Sequence, residues 1–406
     1  MIIRARVVVT MDGSPIENGA VAISENKIVD VGTFPEISAR QSTNEIVDLG
    51  EQALLPGLIN AHCHLDYTCL RGKIPRQKSF TDWIRAINAE KAKLSPKDYV
   101  DSINRGFAES KKFGTTTIAN LMAFPELTAQ IEEPIQTWWF FELIDIRQQI
   151  DLTGLTHQVS NAQRHWGLAP HAPYTASAQL YRRCEELAVR ENVLVTTHLA
   201  ESREEMSMFR DASGPLYDFL KEIGRDISDC GGRTPLETFV GAPGSEPDWH
   251  RRALPSIVVH LNELAETDFD LLAKLGNKSS IVHCPRSQAY FGHSPFQFQK
   301  LRKLGFNICL GTDSLASNDD LSLFAEMRAF QKEFPNVAAD EILKMVTTNA
   351  ARGLRQENAL GEIAPGFVAD LVAVPCTTSK SMFEEVVGFD RAVNWLMIDG
   401  LVQETA

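Results

Sequence analysis

Five of the ten histidines in this 406-residue chain end short apolar or β-branched runs. His62 and His64 close Leu-Leu-Pro-Gly-Leu-Ile-Asn-Ala-His-Cys-His, and His198 closes Val-Leu-Val-Thr-Thr-His. His260 closes Ser-Ile-Val-Val-His, and His283 closes Ser-Ser-Ile-Val-His. Asp313 ends Asn-Ile-Cys-Leu-Gly-Thr-Asp in the same way. A closed barrel of parallel strands collects such ends on one face, where a metal site can be built. The pattern reads as a metal-dependent hydrolase.

Residues i and i+2 of a strand face the same way, roughly 6.5 Å apart. His62 and His64 can therefore point together and share one ion at about 2.0–2.1 Å. An isolated His-x-His also occurs by chance as two hydrogen-bonded or solvated histidines, so the weight comes from its agreement with His198 and Asp313. Glu201 follows His198 by three residues, in the loop just beyond the strand, where it can reach over the metal. Its plain alternative is a first-turn helix glutamate favoured by the helix dipole. His260 also fits a hydrogen-bonded core histidine, and Asp313 a turn residue after Gly311-Thr312. No lysine occurs from Phe113 through Leu220, so no middle strand offers a carboxylated lysine to bridge two ions. One divalent ion is expected. The His-Glu-x-x-His zinc-protease motif and the His-x-Glu…Pro-Cys-x-x-Cys pattern are both absent.

The elements that would position these groups alternate along the middle of the chain. Ser95-Pro96 is an N-cap with proline at the first helical position, and predicts a helix to Gly114. Strands are expected at Thr115–Leu121, Trp138–Ile144 and Trp166–Pro170, and helices at Ser177–Glu191, Phe269–Leu275 and Leu321–Phe330. Every candidate ligand follows a strand, and no glycine-rich phosphate loop is present. This favours an α/β fold of the (β/α)8 TIM-barrel type over an open doubly wound sheet. The first and last fifty or so residues read as short strands joined by turns. Three regions are expected: residues 1–52 and 357–406 forming a small β-sandwich from both termini, and residues 53–356 forming the barrel. Residues 225–252, rich in glycine, proline and charge, read as an excursion covering the site or an oligomer interface.

Composition narrows the partners. The formal charge is −13, which disfavours phosphate polymers and anionic membranes. The seven cysteines show no Cys-x-x-Cys spacing and fit free thiols in a reducing cytoplasm. The N-terminus reads as a strand and lacks the features of a signal peptide, and no stretch approaches the ~20 apolar residues of a membrane span. A small-molecule substrate is expected, with no nucleic-acid or membrane partner. A homodimer is the prior from common symmetry.

Pro-Gly-Leu-Ile-Asn-Ala-His-Cys-His, Thr-His-Leu-Ala-Glu, Gly-Thr-Asp-Ser and Gly-Phe-Val-Ala-Asp-Leu-Val together resemble the amidohydrolase superfamily, in its deaminase and chlorohydrolase branch. Ala-Pro-His-Ala-Pro-Tyr-Thr (169–175) and Ser-Asn-Asp-Asp-Leu-Ser-Leu-Phe-Ala-Glu-Met-Arg (317–328) are similar to S-adenosylhomocysteine/5′-methylthioadenosine deaminases. The resemblance implies that His62, His64, His198 and Asp313 hold the metal. It implies Glu201 and His260 as catalytic groups and His171 as a substrate contact. The chain departs from that pattern at Cys284-Pro285-Arg286-Ser287-Gln288, where those deaminases carry Asn-Pro-x-Ser-Asn. It departs again at Thr81, where they carry a ribose-binding glutamate two residues before the tryptophan matching Trp83. The His-Cys-Pro-Arg-Ser variant with Tyr290-Phe291 looks more like aminodeoxyfutalosine-deaminase-type members. Arg286 then either pairs with a substrate carboxylate or bridges loops.

The expected reaction is hydrolytic deamination of an aminated heteroaromatic ring, most of all the 6-amino group of an adenine nucleoside derivative. Zn²⁺ is the expected ion, with Fe²⁺ or Mn²⁺ as alternatives. Glu201 would shuttle the proton from water to a ring nitrogen, His260 and Asp313 would orient the attack, and Asp313 would help protonate the departing amine. His171 and His283 would hold the ring, with Trp83 and Phe124 as candidates for an apolar wall. The same ligands serve a chlorohydrolase, a guanine- or triazine-type aminohydrolase, or an amide or cyclic-imide hydrolase. A non-catalytic scaffold of the same fold is the alternative of another class.

Overall fold

The computed structural model describes residues 1–43, 45–155, 165–241, 255–377 and 381–404. Five strands open the chain: β1 (Ile2–Val8), β2 (Ile16–Ser24), β3 (Lys27–Thr33), β4 (Ile46–Asp48) and β5 (Gln52–Pro56). Nine more build the centre: β6 (Leu58–His64), β7 (Thr115–Met122), β8 (Gln136–Leu143), β9 (His165–Pro170), β10 (Leu194–Leu199), β11 (Ile257–His260), β12 (Ser280–His283), β13 (Asn307–Leu310) and β14 (Asp313–Ser314). Three close it: β15 (Leu371–Pro375), β16 (Trp395–Ile398) and β17 (Leu401–Gln403).

The termini share one hydrogen-bonded sheet, ordered β17-β16-β15-β5-β1-β2-β3 with β4 beside β1. Because β5 pairs with both β1 and β15, the boundary expected after residue 52 falls inside this sheet, and the central region starts at β6. The central sheet runs β13-β12-β11-β10-β9-β8-β7-β6-β14, and each of its pairings is parallel. Only Gly311 and Thr312 separate β13, which pairs with β12, from β14, which pairs with β6. Glycine is required at 311, since a Cβ there would lie 2.7 Å from the carbonyl oxygen of His62.

Local chemistry sets the helices between the strands. Ser95 caps Pro96–Lys112 in a capping box with Asp98, and Ser177 caps Ala178–Glu191 by accepting from Leu180 N–H. The helices expected near 269–275 and 321–330 run Glu266–Leu275 and Leu323–Glu333.

Strand alternation divides the core. In β8, Trp138 and Phe140 join an inner cluster with Ile59, Leu121, Ala169, Val259 and Val282, whereas Trp139 and Phe141 pack outward against the helices with Phe107 and Leu168. The buried histidines His62, His64, His198 and His260, with Asp313, stand at the C-terminal ends of β6, β10 and β11 and in β14. All seven cysteines are free thiols, and among the described residues no helix is long and apolar enough to cross a membrane. Of the 225–252 excursion, residues 242–252 lie outside the described residues. Its start is tied to the loop after β9, where Arg225 donates to the carbonyls of Pro173 and Tyr174 at 3.0 Å each.

Candidate metal centre

Three buried imidazoles, His62, His64 and His198, offer nitrogen atoms that all lie within 4.8 Å of one another. His62 and His64 come from the end of β6, where the register to β7 shifts between Asn60 and Cys63. Such irregularities re-aim side chains at the rims of sheets. His198 ends β10, and its Nδ1 lies 2.8 Å from the carbonyl oxygen of His171, which spends that nitrogen and turns Nε2 to the cluster. His64 Nε2 and His198 Nε2 are 3.4 Å apart, while both ring nitrogens of His62 are buried without a hydrogen-bond partner. A tetrahedral ion at 2.0–2.1 Å from its donors needs them about 3.3 Å apart, and the 3.4 Å between His64 and His198 fits a small divalent cation.

Asp313 stands beside the cluster, with Oδ1 3.7 Å from His62 Nε2 and 3.8 Å from His64 Nε2. Its other oxygen accepts the Ser287 hydroxyl at 2.5 Å. Burial opposes ionisation of Asp313, but contact with His62, His260 and His64 outweighs it and holds the carboxyl well below its usual range. Burial lowers His198 to about 4, and also holds His64, His171 and His260 well below their usual value. Neutral imidazoles and an ionised carboxylate are what a divalent ion requires.

Glu201 and His260 form the facing pair, with Oε1 and Nε2 3.7 Å apart. Burial, then Asp313 and Glu205, push the Glu201 carboxyl well above the carboxylate range. Glu205 fixes this loop by accepting from the backbone N–H of Ala200 at 3.1 Å and of Glu201 at 2.7 Å. Strand alternation alone would send His260 outward with Val258. Instead the chain turns left-handed at His260 (φ 78°) and Leu261 (φ 50°), and the His260 ring lines the cavity. Asp313 (φ 56°) and Ala200 (φ 51°) share that conformation. Each such residue costs of order 1–3 kcal/mol, and such strain collects where side chains must converge.

His64, His198, Glu201, His260 and Asp313 line one cavity of about 260 Å³ with Trp83, His171, Tyr174 and the apolar residues of the helices Phe80–Lys91 and Pro215–Glu222. His171 enters it from just beyond β9, its Nδ1 2.6 Å from Thr175 Oγ1. Trp83 donates its indole N–H to the carbonyl of Ala316 at 3.3 Å, which fixes the ring as wall.

The structure places His283 and Phe124 away from the cavity, against expectation, and decides between the two readings of Arg286. His283 shares the outward face of β12 with Ile281, so it is buried away from the cavity, stacked on Phe296 at 4.1 Å. Arg286 is spent as a bridge, with Nη1 2.6 Å from Asp320 and Nη2 3.3 Å from Asp319, and its backbone N–H donates to Glu326. Phe124 packs on Tyr99 at 4.7 Å and does not line the cavity. Sequence reasoning missed Ser287 and Glu205, the groups that hold Asp313 and Glu201. It also missed Glu142, although its parity with Trp138 and Phe140 marks it as inward-facing.

An all-parallel α/β sheet with buried histidines and carboxylates gathered at its C-terminal edge is the build of a hydrolytic enzyme. A model of the amidohydrolase family matches residues 53–402, and the chain belongs to that family, as a hydrolase acting on carbon–nitrogen bonds. It is 28% identical over 397 residues to a 5-methylthioadenosine/S-adenosylhomocysteine deaminase of Pyrococcus furiosus, covering 92% of this chain and 86% of that protein. Its fold is similar to that of Helicobacter pylori aminofutalosine deaminase in complex with methylthio-coformycin, with a TM-score of 0.84 at 19% identity over 99% of this chain and 100% of the other. An adenosine deaminase from Xanthomonas campestris with bound zinc aligns with a TM-score of 0.78 at 24% identity, covering 99% of this chain and 92% of that one.

Proposed function

We propose that this chain is a metal-dependent deaminase that hydrolyses the 6-amino group of an adenine nucleoside derivative and releases ammonia. The observation that carries it is the convergence of the histidine cluster, Asp313 and the Glu201–His260 pair on one largely apolar cavity. The Pyrococcus relative, a 5-methylthioadenosine/S-adenosylhomocysteine deaminase, supports the choice of leaving group, as does the methylthio-coformycin in the Helicobacter structure. In this reading the central sheet closes as a (β/α)8 barrel, the β13–β14 stretch pairing with β12 on one side and β6 on the other. The terminal sheet, whose inner cluster takes Ile3, Val21, Leu371 and Met397, is the small sandwich.

His62, His64, His198 and Asp313 would hold one ion, with Zn²⁺ favoured by the nitrogen-rich donor set and Fe²⁺ or Mn²⁺ as alternatives. When bound, the ion supplies Lewis acidity that lowers the pKa of water from 15.7 to about 7. Glu201, kept protonatable by burial, accepts the proton of the attacking water and passes it to a ring nitrogen, which makes the adjacent carbon electrophilic. His260 and Asp313 orient the attack from the strand ends, and Asp313 takes the remaining proton of the added water and relays it to the departing amine, which leaves as ammonia. His171 and Trp83 bound the ring.

The test is ammonia release from adenosine, 5′-methylthioadenosine, S-adenosylhomocysteine and aminodeoxyfutalosine, with guanine and chlorotriazines as controls. Turnover of an adenine nucleoside is expected, and Glu201→Gln should keep bound metal while losing about 10²–10⁴-fold in kcat. Chloride release from a chlorotriazine without any nucleoside turnover would overturn the deaminase reading. Near-normal turnover by the Gln variant would remove Glu201 from the chemistry.

A further inference from the structure

Away from the histidine cluster and its carboxylates the cavity wall is mostly apolar, and Glu142 and Lys91 are the charged residues there. Glu142 keeps the inward parity of Trp138 and Phe140 and comes out at the C-terminal end of β8, lining the cavity. Lys91, the last residue of the helix Phe80–Lys91, lines it too, with its ammonium 4.7 Å from the centroid of the Tyr67 ring. Tyr67 in turn stacks on the candidate ligand His64 at 5.7 Å. Neither the Glu142 carboxylate nor the Lys91 ammonium makes a hydrogen bond or ion pair with any described residue. Burial raises the Glu142 carboxyl above its usual value, and Lys91 partly offsets this. An unpaired charge in a mostly apolar cavity is unfavourable unless something else satisfies it.

We infer that Glu142 and Lys91 are the specificity-determining pair of this cavity, and that they bind a vicinal diol, such as a pentose carries, on the ring presented to the histidine cluster. This rests on the deaminase reading and names what that substrate must carry. A free carboxylate only accepts and an ammonium only donates, so the occupant must offer donor and acceptor together, as each hydroxyl does. The Lys91 ammonium lies one aromatic side chain, Tyr67, from His64, and Glu142 lines the same cavity, which suits a group attached directly to the ring rather than a distant tail. Thr81, near the start of the same helix, does not line the cavity and has both its hydroxyl proton and its N–H committed to Glu204. A free base or a triazine without hydroxyls would leave both charges unpaired, which is how a polar site rejects an analogue that lacks its partner group.

The experiment compares ammonia release from 5′-methylthioadenosine and its 2′,3′-dideoxy counterpart on the metal-loaded wild type and on Glu142→Met, which keeps the volume but accepts nothing. Wild type should favour the diol in kcat/KM by about 10- to 100-fold, the worth of a charge-assisted hydrogen bond. Glu142→Met should lose a similar factor on the diol and less than about twofold on the dideoxy compound, so that the preference collapses. Equal loss on both compounds, or no preference in the wild type, overturns the inference while leaving the deaminase reading intact. Ammonia from neither compound in the wild type, nor from any other adenine nucleoside, overturns that reading itself. If Glu142→Met does not fold, Lys91→Met, at the half-buried end of its helix, carries the same comparison.

Discussion

Removing one hydroxyl should loosen the metal without touching it. Ser287 Oγ donates to Asp313 Oδ2 at 2.5 Å, and both side chains are buried. In Ser287→Ala that carboxylate oxygen loses its donor in a place water does not readily reach. A hydrogen bond to a charged acceptor contributes about 1.5–3 kcal/mol. At about 1.4 kcal/mol per decade, this is about a 10- to 100-fold loss, the range typical when an outer partner of a metal ligand is removed. Ser317 Oγ lies 3.3 Å from Ser287 Oγ and can turn partly toward the gap, so the lower end is expected. Competition with a chromophoric chelator reads the metal affinity, and ammonia release reads kcat/KM. Both should fall together, and Ser287→Thr, which keeps the hydroxyl, should restore them. If affinity and turnover both stay within twofold of wild type, Asp313 is not held through Ser287, or does not act at the metal.

Two further outcomes follow from other parts of the molecule. His283→Phe should leave KM and kcat within about twofold, because the ring stacks on Phe296 outside the cavity and both its nitrogens are already unpartnered; a tenfold rise in KM would return it to the site. In the terminal sheet, burial raises Asp370 from 3.8 to about 7. The folded state then binds the extra proton between those values, so this group's contribution is fully favourable below about pH 4 and declines as pH rises to about 7. Asp370→Asn should remove a slope of up to about 1.4 kcal/mol per pH unit across that window. Chemical unfolding of the two proteins at pH 4, 5.5 and 7 measures it, and parallel stability curves would reject it.

The strand ends were legible because β-branched runs stop abruptly at a polar residue, and the helix starts because Ser95 and Ser177 are unambiguous caps. The pairing of His62 with His64, and the place of His198 in the same cluster, followed from that grammar. His260 and His283 show its limit. Both end an Ile-Val-(Val)-His run, yet one backbone turns left-handed and faces the cavity while the other keeps its outward parity. Nothing local separates them, because the difference is set by the neighbours, Leu261 N–H being held by the carbonyl of Leu199 on the adjoining strand. Arg286 was ambiguous for a similar reason. Its acidic partners at 319, 320 and 326 lie more than thirty residues away, and only the folded chain brings them to it. Glu142 was readable from parity, and escaped notice because a lone carboxylate after four aromatic residues looks like the end of a strand.

The short break at Gly311-Thr312 also orders events during synthesis. The three histidines leave the ribosome more than a hundred residues before Asp313, yet β6 gains its second parallel neighbour only when the stretch after Gly311 arrives and docks. An unfinished polypeptide that stops short of this point has imidazoles to offer but no aspartate, and its first central strand has a bare flank. Stable loading of the ion would thus mark chains that have been translated past residue 313 and zipped shut, which separates finished enzyme from fragments before any substrate is met.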